Sequence, residues 1–414
     1  MLKRIKANQL RVGMYLHELC GSWLEHPFWR SSFLISNEKE LERIVQSGVR
    51  EAWIDTARGL DVAPEVAPQA VSKQESDRRT DQQLAGMAAG PLSFERCSMA
   101  EEVKRATSIR DRTRDAVASM FSEARMGRAL DASDAVPLVE EISASVSRNQ
   151  GALISLARLK SSDDYTYMHS VAVCALMIAL GRQLRLDEGQ VRDAGLAGLL
   201  HDIGKMYIPP EILNKPGRLT DAEFNVVRAH PEAGHRMLLE GEGVSKVALD
   251  VCLHHHEKMD GSGYPHKLAG DEISLFARMG AVCDVYDAIT SDRPYKRGWD
   301  PAESLRKMTE WCKGHFDEAI FHAFVRSLGI YPIGSLVRLH SGRIAVVVEQ
   351  SPASLLAPDV TAFYSTKHKA RFEPKRLELS NPATGDGIAS REDPSVWNFP
   401  DLERLWMGSV GMAA

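Results

Sequence analysis

The residues best suited to chemistry in this sequence are histidines and aspartates gathered along one stretch of it. His201 and Asp202 adjoin in GLLHDIGK, and His169 heads the apolar run before them. His230 stands in VVRAHPEAG, His255 and His256 in HHHEKMDGSGYP, and Asp284 in AVCDVYDA. Eight of the 14 histidines (His169, His201, His230, His235, His254, His255, His256 and His266) lie between His169 and His266, where an even spread would put about three. A single helical histidine is ordinarily a surface or hydrogen-bonded residue, and a lone His-Asp pair arises by chance, so the weight rests on the set. Imidazoles mixed with carboxylates suit Mn, Fe, Zn or Ni, and the lack of a paired-cysteine motif argues against a structural zinc site. The set is too large for one catalytic ion. If Asp202 bridges, two ions can sit about 3.5 to 4 Å apart, the arrangement that activates a water and stabilises the attacking and leaving oxygens of a phosphoryl displacement. Phosphoester hydrolysis is the chemistry that follows.

Three segments, HDIGK, HHEKMDGSGYP and DVYDAITSDRPYK, resemble the HD-GYP family of cyclic dinucleotide phosphodiesterases, and the likeness runs from about Leu153 to Leu328. The resemblance implies a metal-dependent hydrolase that opens cyclic di-GMP to linear pGpG and carries it on to GMP. It also implies a ligand set of His169, His201, Asp202, His230, His255, His256 and Asp284. Two divalent ions are implied, Fe or Mn first, with Zn, Ni, Mg or Co as further candidates. Asp202 and Lys205 take the catalytic positions, with Lys205 at the scissile phosphate, while Arg293 and Lys296 hold phosphates of the dinucleotide. Arg offers a bidentate fork and Lys a point charge, and an anionic substrate needs such local cations in an acidic protein.

The loop of Gly261, Gly263, Tyr264 and Pro265 is a turn on any reading. By resemblance it lies beside the metals, with Tyr264 lining the nucleotide pocket or meeting a partner such as a GGDEF-type diguanylate cyclase domain, and with Glu257 and Asp260 orienting ligands. Asp287, three residues after Asp284 and so on the same helical face, is expected to hydrogen-bond substrate or a ligand. One position departs from the pattern: Tyr165 stands four before His169, where some family members carry a Glu that supports a third ion. A two-metal centre is therefore expected, because Asp163 and Asp164 point less well for that task. His235, His254, His266, Cys252 and Cys283 receive no role. Two alternatives are a phosphodiesterase for another cyclic dinucleotide, cyclic GMP-AMP, and a cyclic di-GMP-binding scaffold that contacts cyclase domains through the loop.

The elements that must position these residues follow from pattern and length. With 414 residues, 44% apolar and 26% charged, the chain reads as a folded multidomain protein. Residues 1–61 carry short apolar runs and read as a small α/β domain with a regulatory or partner-binding role. Residues 62–93, rich in Pro, Ala, Gln and charge, read as a flexible linker. Residues 94–136 show a helical stripe through Met99, Val103, Ala106 and Ile109, a connecting amphipathic helix that packs on the next domain or joins two chains in a homodimer. Residues 137–330 are helical almost throughout, an all-α HD-type bundle, and residues 331–414 read as a β-rich appendage with a flexible tail. The net charge of -5 excludes long nucleic acid as a partner. Six scattered cysteines form no disulfide framework, the N-terminus lacks a signal-peptide pattern, and the longest apolar run, Val171 to Leu180, is too short for an integral membrane segment. A cytoplasmic location is expected.

Overall fold

The structure, a computed structural model, describes residues 2–20, 32–46, 49–62, 71–72, 79–84, 97–160, 164–215, 217, 219–292, 298–351, 353–397 and 399–407. The chain divides into two compact units, the first built on the residues up to Leu84. Its sheet comprises β1 (Leu2–Lys6), β2 (Tyr15–Cys20), β3 (Phe33–Leu34), β4 (Glu51–Asp55) and β5 (Val71–Ser72), in the order β3-β2-β4-β1-β5. The central pairing is antiparallel, Leu2 opposite Asp55 and Lys6 opposite Glu51. Helix α1 (Glu38–Gln46) covers it with Ile44, which joins Ile5, Leu16, Ile35 and Ile54 in the core. The stretch expected as a linker contributes structure of its own: Val71 and Ser72 pair with β1, and residues 79–84 are helical (α2). Backbone pairing needs no apolar side chain, so composition does not reveal it.

The second unit is the helical bundle and the C-terminal sheet. Helix α3 (Met99–Arg125) starts where the Glu101 carboxylate accepts from the Ser98 N–H at 3.0 Å, a reciprocal N-terminal cap. Its buried Glu102 accepts from Arg148 Nε and Nη2, both at 2.7 Å, and from Ser145 Oγ, which clips α3 to α4 (Val136–Arg148). After α5 (Gln150–Arg158) comes α6 (Tyr165–Gln183), buried without a break from Met168 to Gly181. A helix apolar all round belongs at the centre, and α6 packs against α5, α7 (Glu188–Leu200), α12 (Leu275–Thr290) and α14 (Glu318–Leu328). Between them run α8 (Pro210–Leu213), α9 (Asp221–Arg228), α10 (His230–Glu240) and α11 (Lys246–His254), with α13 (Pro301–His315) before α14.

The C-terminal sheet has the order β10-β6-β7-β8-β9, formed by β6 (Leu336–Leu339), β7 (Arg343–Glu349), β8 (Asp359–Ser365), β9 (Ala370–Glu378) and β10 (Ile388–Arg391). Its core holds Val337, Leu339, Val347 and Val360. Asp300 ties it to the bundle: its carboxylate caps α13 by accepting from Ala302 N and Glu303 N, and it also accepts from Leu336 N at 3.2 Å. Among the described residues no helix is long and apolar enough to cross a membrane.

Candidate metal centre

The histidines and aspartates converge because five helix ends and one helix face meet around α6. His169 lies one turn into α6, and Asp284 and Asp287 lie on the facing side of α12. His201 follows the last turn of α7, His230 opens α10 just past α9, and His255 follows α11. The last carbonyls of a helix lack partners within it. Three imidazoles use this: His201 Nδ1 meets Gly198 O at 2.8 Å, His230 Nδ1 meets Val227 O at 2.8 Å, and His255 Nδ1 meets Cys252 O at 3.1 Å. A carbonyl only accepts, so each Nδ1 carries the proton and each Nε2 turns its lone pair inward. For His169 the acceptor is Asp287 Oδ2, at 2.6 Å from Nδ1.

Inward, the acceptors crowd one another. His169 Nε2 stands 2.9 Å from Asp284 Oδ1 and 3.3 Å from Asp202 Oδ2, and His201 Nε2 stands 3.3 Å from Asp202 Oδ2. The other Asp202 oxygen, Oδ1, is 3.2 Å from His230 Nε2 and 3.8 Å from His255 Nε2. His256 approaches through Nδ1, 3.9 Å from Asp284 Oδ2. His201, Asp202 and Asp284 are buried. His201 Nε2 and Asp202 Oδ1 have no hydrogen-bond partner. Lone pairs facing lone pairs in a dry site call for a positive charge between them. Two sets of ligand atoms meet that need, His169/His201/Asp202/Asp284 and His230/His255/His256, each with its atoms within 4.8 Å of one another. The donor set fits two divalent ions with Asp202 between them.

Electrostatics separate the two sets. Burial opposes charge on His201, but Asp202 and Asp284 outweigh it and push its pKa up to about 10. His169 is raised against the same burial by its bonds to Asp202, Asp284 and Asp287. His255 is pushed down to about 3 by burial and by His201, and His256 is lowered by burial and His255. Burial raises Asp287, yet Lys160 and His169 hold it below the carboxylate range.

The backbone shapes the rim. Gly204 permits a close approach, since a Cβ there would lie 1.9 Å from His230 O, and this lets HDIGK turn against α10. Lys205 reaches back to Asp202 Oδ2. In the 260s loop, Gly261 has φ +75°, and a Cβ at Gly263 would meet the Glu257 Cα at 2.5 Å, so only glycine allows the chain to fold onto itself. The Tyr264-Pro265 peptide is cis. The Tyr264 ring stacks on His256, centroids 4.7 Å apart, with the Arg228 guanidinium 4.6 Å over its face.

Several expectations need correction. Glu257 and Asp260, assigned to orient ligands, shape the loop instead: Glu257 accepts from His266 N at 2.6 Å and Leu268 N at 3.1 Å, and Asp260 accepts from Ser262 N at 3.0 Å. Loop amides need acceptors and these carboxylates are the nearest. Asp287, expected to hydrogen-bond substrate or a ligand, does the second: only 3% exposed, it accepts from His169 Nδ1 and from Lys160. Arg293 and Lys296 lie outside the described residues, as does Asp163. His254 bonds Asp250 and His266 and stands apart from both ligand sets. Lys160 and Arg228 belong to no motif, and the sequence offered no signal for either.

Residues 143–320 match the family described as HD domain, and residues 2–135 match a domain of unknown function (DUF3391). A protein of Pseudomonas aeruginosa named a cyclic di-GMP phosphodiesterase is 54% identical over 99% of this chain and 96% of its own length. The Xanthomonas campestris cyclic di-GMP phosphodiesterase response regulator RpfG is 37% identical over 42% of the chain and 47% of its own length. A 3'3'-cGAMP-specific phosphodiesterase of Vibrio cholerae is 34% identical over 42% of each. With the ligand geometry and a relative matched nearly end to end, the chain belongs to the HD-GYP family of HD-domain, metal-dependent phosphodiesterases.

Proposed function

We propose that the chain hydrolyses cyclic di-GMP, opening one 3'-5' phosphodiester to give linear pGpG and, in a second round, GMP. The observation that carries this reading is Asp202, whose two oxygens face different ligand sets. Two divalent ions, Fe or Mn, would be held by His169, His201, Asp202 and Asp284 on one side and by His230, His255, His256 and Asp202 on the other. Bound there, they would supply the charge that lowers the pKa of a water and offsets the negative charge building on the phosphate.

The chain's own groups do the rest. The helix-end carbonyls and Asp287 fix the tautomers of His169, His201, His230 and His255 before anything binds, so little rearrangement of these four is needed on loading. The Lys205 ammonium, 20% exposed beside Asp202, meets the scissile phosphate. Tyr264, held against His256 and Arg228, lines the nucleotide pocket. Arg293 and Lys296 hold the distal phosphate. Water adds to phosphorus, the 3' oxygen leaves, and a proton from solvent or a neighbouring acid completes the new hydroxyl. The first unit regulates this reaction or recruits a partner.

The likeness to a cyclic GMP-AMP phosphodiesterase makes that nucleotide the necessary second substrate. Protein purified without chelator and supplied with Mn or Fe(II) is expected to turn over cyclic di-GMP faster than cyclic GMP-AMP. Equal or reversed preference moves the assignment to the mixed nucleotide, and tight binding without turnover under either metal contradicts the enzyme reading.

A further inference from the structure

Lys160 lies two residues past the end of α5 and its side chain is 0% exposed. Lysine is seldom so buried, because withdrawing an ammonium from water costs several kcal/mol unless a partner restores it. The partner is the Asp287 oxygen that also accepts from His169 Nδ1. The same ammonium lies 5.2 Å from the centroid of the Tyr165 ring, and that ring is stacked on His169, centroids 6.0 Å apart and planes 12° from parallel. Lys160 thus reaches His169 by two routes, a carboxylate and an aromatic face.

Charge shows what this arrangement does. Asp202, Asp284 and Asp287 are three buried carboxylates around one imidazole. Asp202 and Asp284 face the converging ligand atoms, whereas Asp287 lies on the outer side of the ring. Left without a cation, its charge would stand uncompensated in a buried site or draw in a positive ion from solution. Lys160 supplies the positive charge permanently, and Tyr165 supplies a face that favours an ammonium and lacks the carboxylate a metal would need.

We infer that Lys160 is a positioning residue: a built-in cation, seated between Asp287 and Tyr165, that keeps Asp287 as the acceptor for His169 and holds the centre to two ions. This rests on the two-ion reading above. Asp287 acts through His169, and Lys160 acts through Asp287, so neither touches the substrate.

The test counts ions and times their release. Full-length wild type, Lys160→Met, Lys160→Arg, Tyr165→Glu and the double variant Lys160→Met/Tyr165→Glu are loaded with Mn, dialysed, and assayed for metal per chain, release into chelator and melting temperature. Wild type is expected to keep two ions. Lys160→Met should release one of them about tenfold faster and leave the other unchanged, with Lys160→Arg restoring most of the loss. Tyr165→Glu alone should stay at two ions, its new carboxylate pairing with Lys160, while the double variant should retain three.

Release from Lys160→Met at the wild-type rate, whatever its melting temperature, would overturn the inference and leave the phosphodiesterase reading standing. So would three ions in Tyr165→Glu with Lys160 present, a readout that remains if Lys160→Met fails to fold. Wild type holding fewer than two ions would instead remove the ground of both.

Discussion

The two ligand sets differ in kind. His169, His201 and Asp284 form a carboxylate-rich half whose imidazoles attract protons, with His201 raised to about 10. His230, His255 and His256 form a half whose inner ligand atoms are all imidazole nitrogens, where His255 is lowered to about 3. Asp202 gives one oxygen to each. A carboxylate beside an imidazole stabilises any cation there, a proton included, whereas imidazoles packed together repel protons and keep their lone pairs free. One half is built by charge and the other by geometry, and the second is ready for a metal without giving anything up.

The largest effect should come from removing what the halves share. Asp202→Ala is expected to lower turnover by more than about a thousandfold and to cost both ions, read by elemental analysis. Retention of both ions would show that the halves do not depend on the bridge. Next, His201→Ala and His255→Ala should each cost one ion, and the Mn signal that survives in one should be the signal lost in the other.

A pH series sharpens the contrast further. Below about 10 a metal must displace the proton on His201, so affinity at the carboxylate-rich half should rise with pH between about pH 6 and about pH 8, by up to about tenfold per unit from His201 alone. His255, already deprotonated above about 3, should add no such slope over the same range by calorimetric titration. Equal slopes would erase the distinction. The smallest effect is at the rim: Glu257→Ala frees the amides of His266 and Leu268, and KM should rise about tenfold with metal content unchanged.

Much of this was legible in the sequence, and what was missed shares a cause. The apolar runs at Met14 to Leu19 and Val49 to Ile54 coincide with β2 and β4, because strands that face a core write their burial into the side chains. β1, written LKRIK, is mostly partly exposed and shows no such run. β9 is largely exposed at the sheet's edge and tolerates Pro374, so nothing in its composition announces a strand. At the site, every ligand brought together in the two sets was already singled out in the sequence, since metals demand particular donor atoms. The division into halves was not legible, because it depends on which Asp202 oxygen faces which helix. Lys160 was invisible because its partner, Asp287 on α12, lies 127 residues away in sequence.

Where the cations sit decides whether Asp202 joins the two halves. Crystals grown with Mn, recorded at the metal's absorption edge, should show two anomalous peaks about 3.5 to 4 Å apart on either side of Asp202, one within reach of His169 and His201 and the other within reach of His230, His255 and His256. A single peak, or two peaks both on one side of the carboxylate, would contradict it.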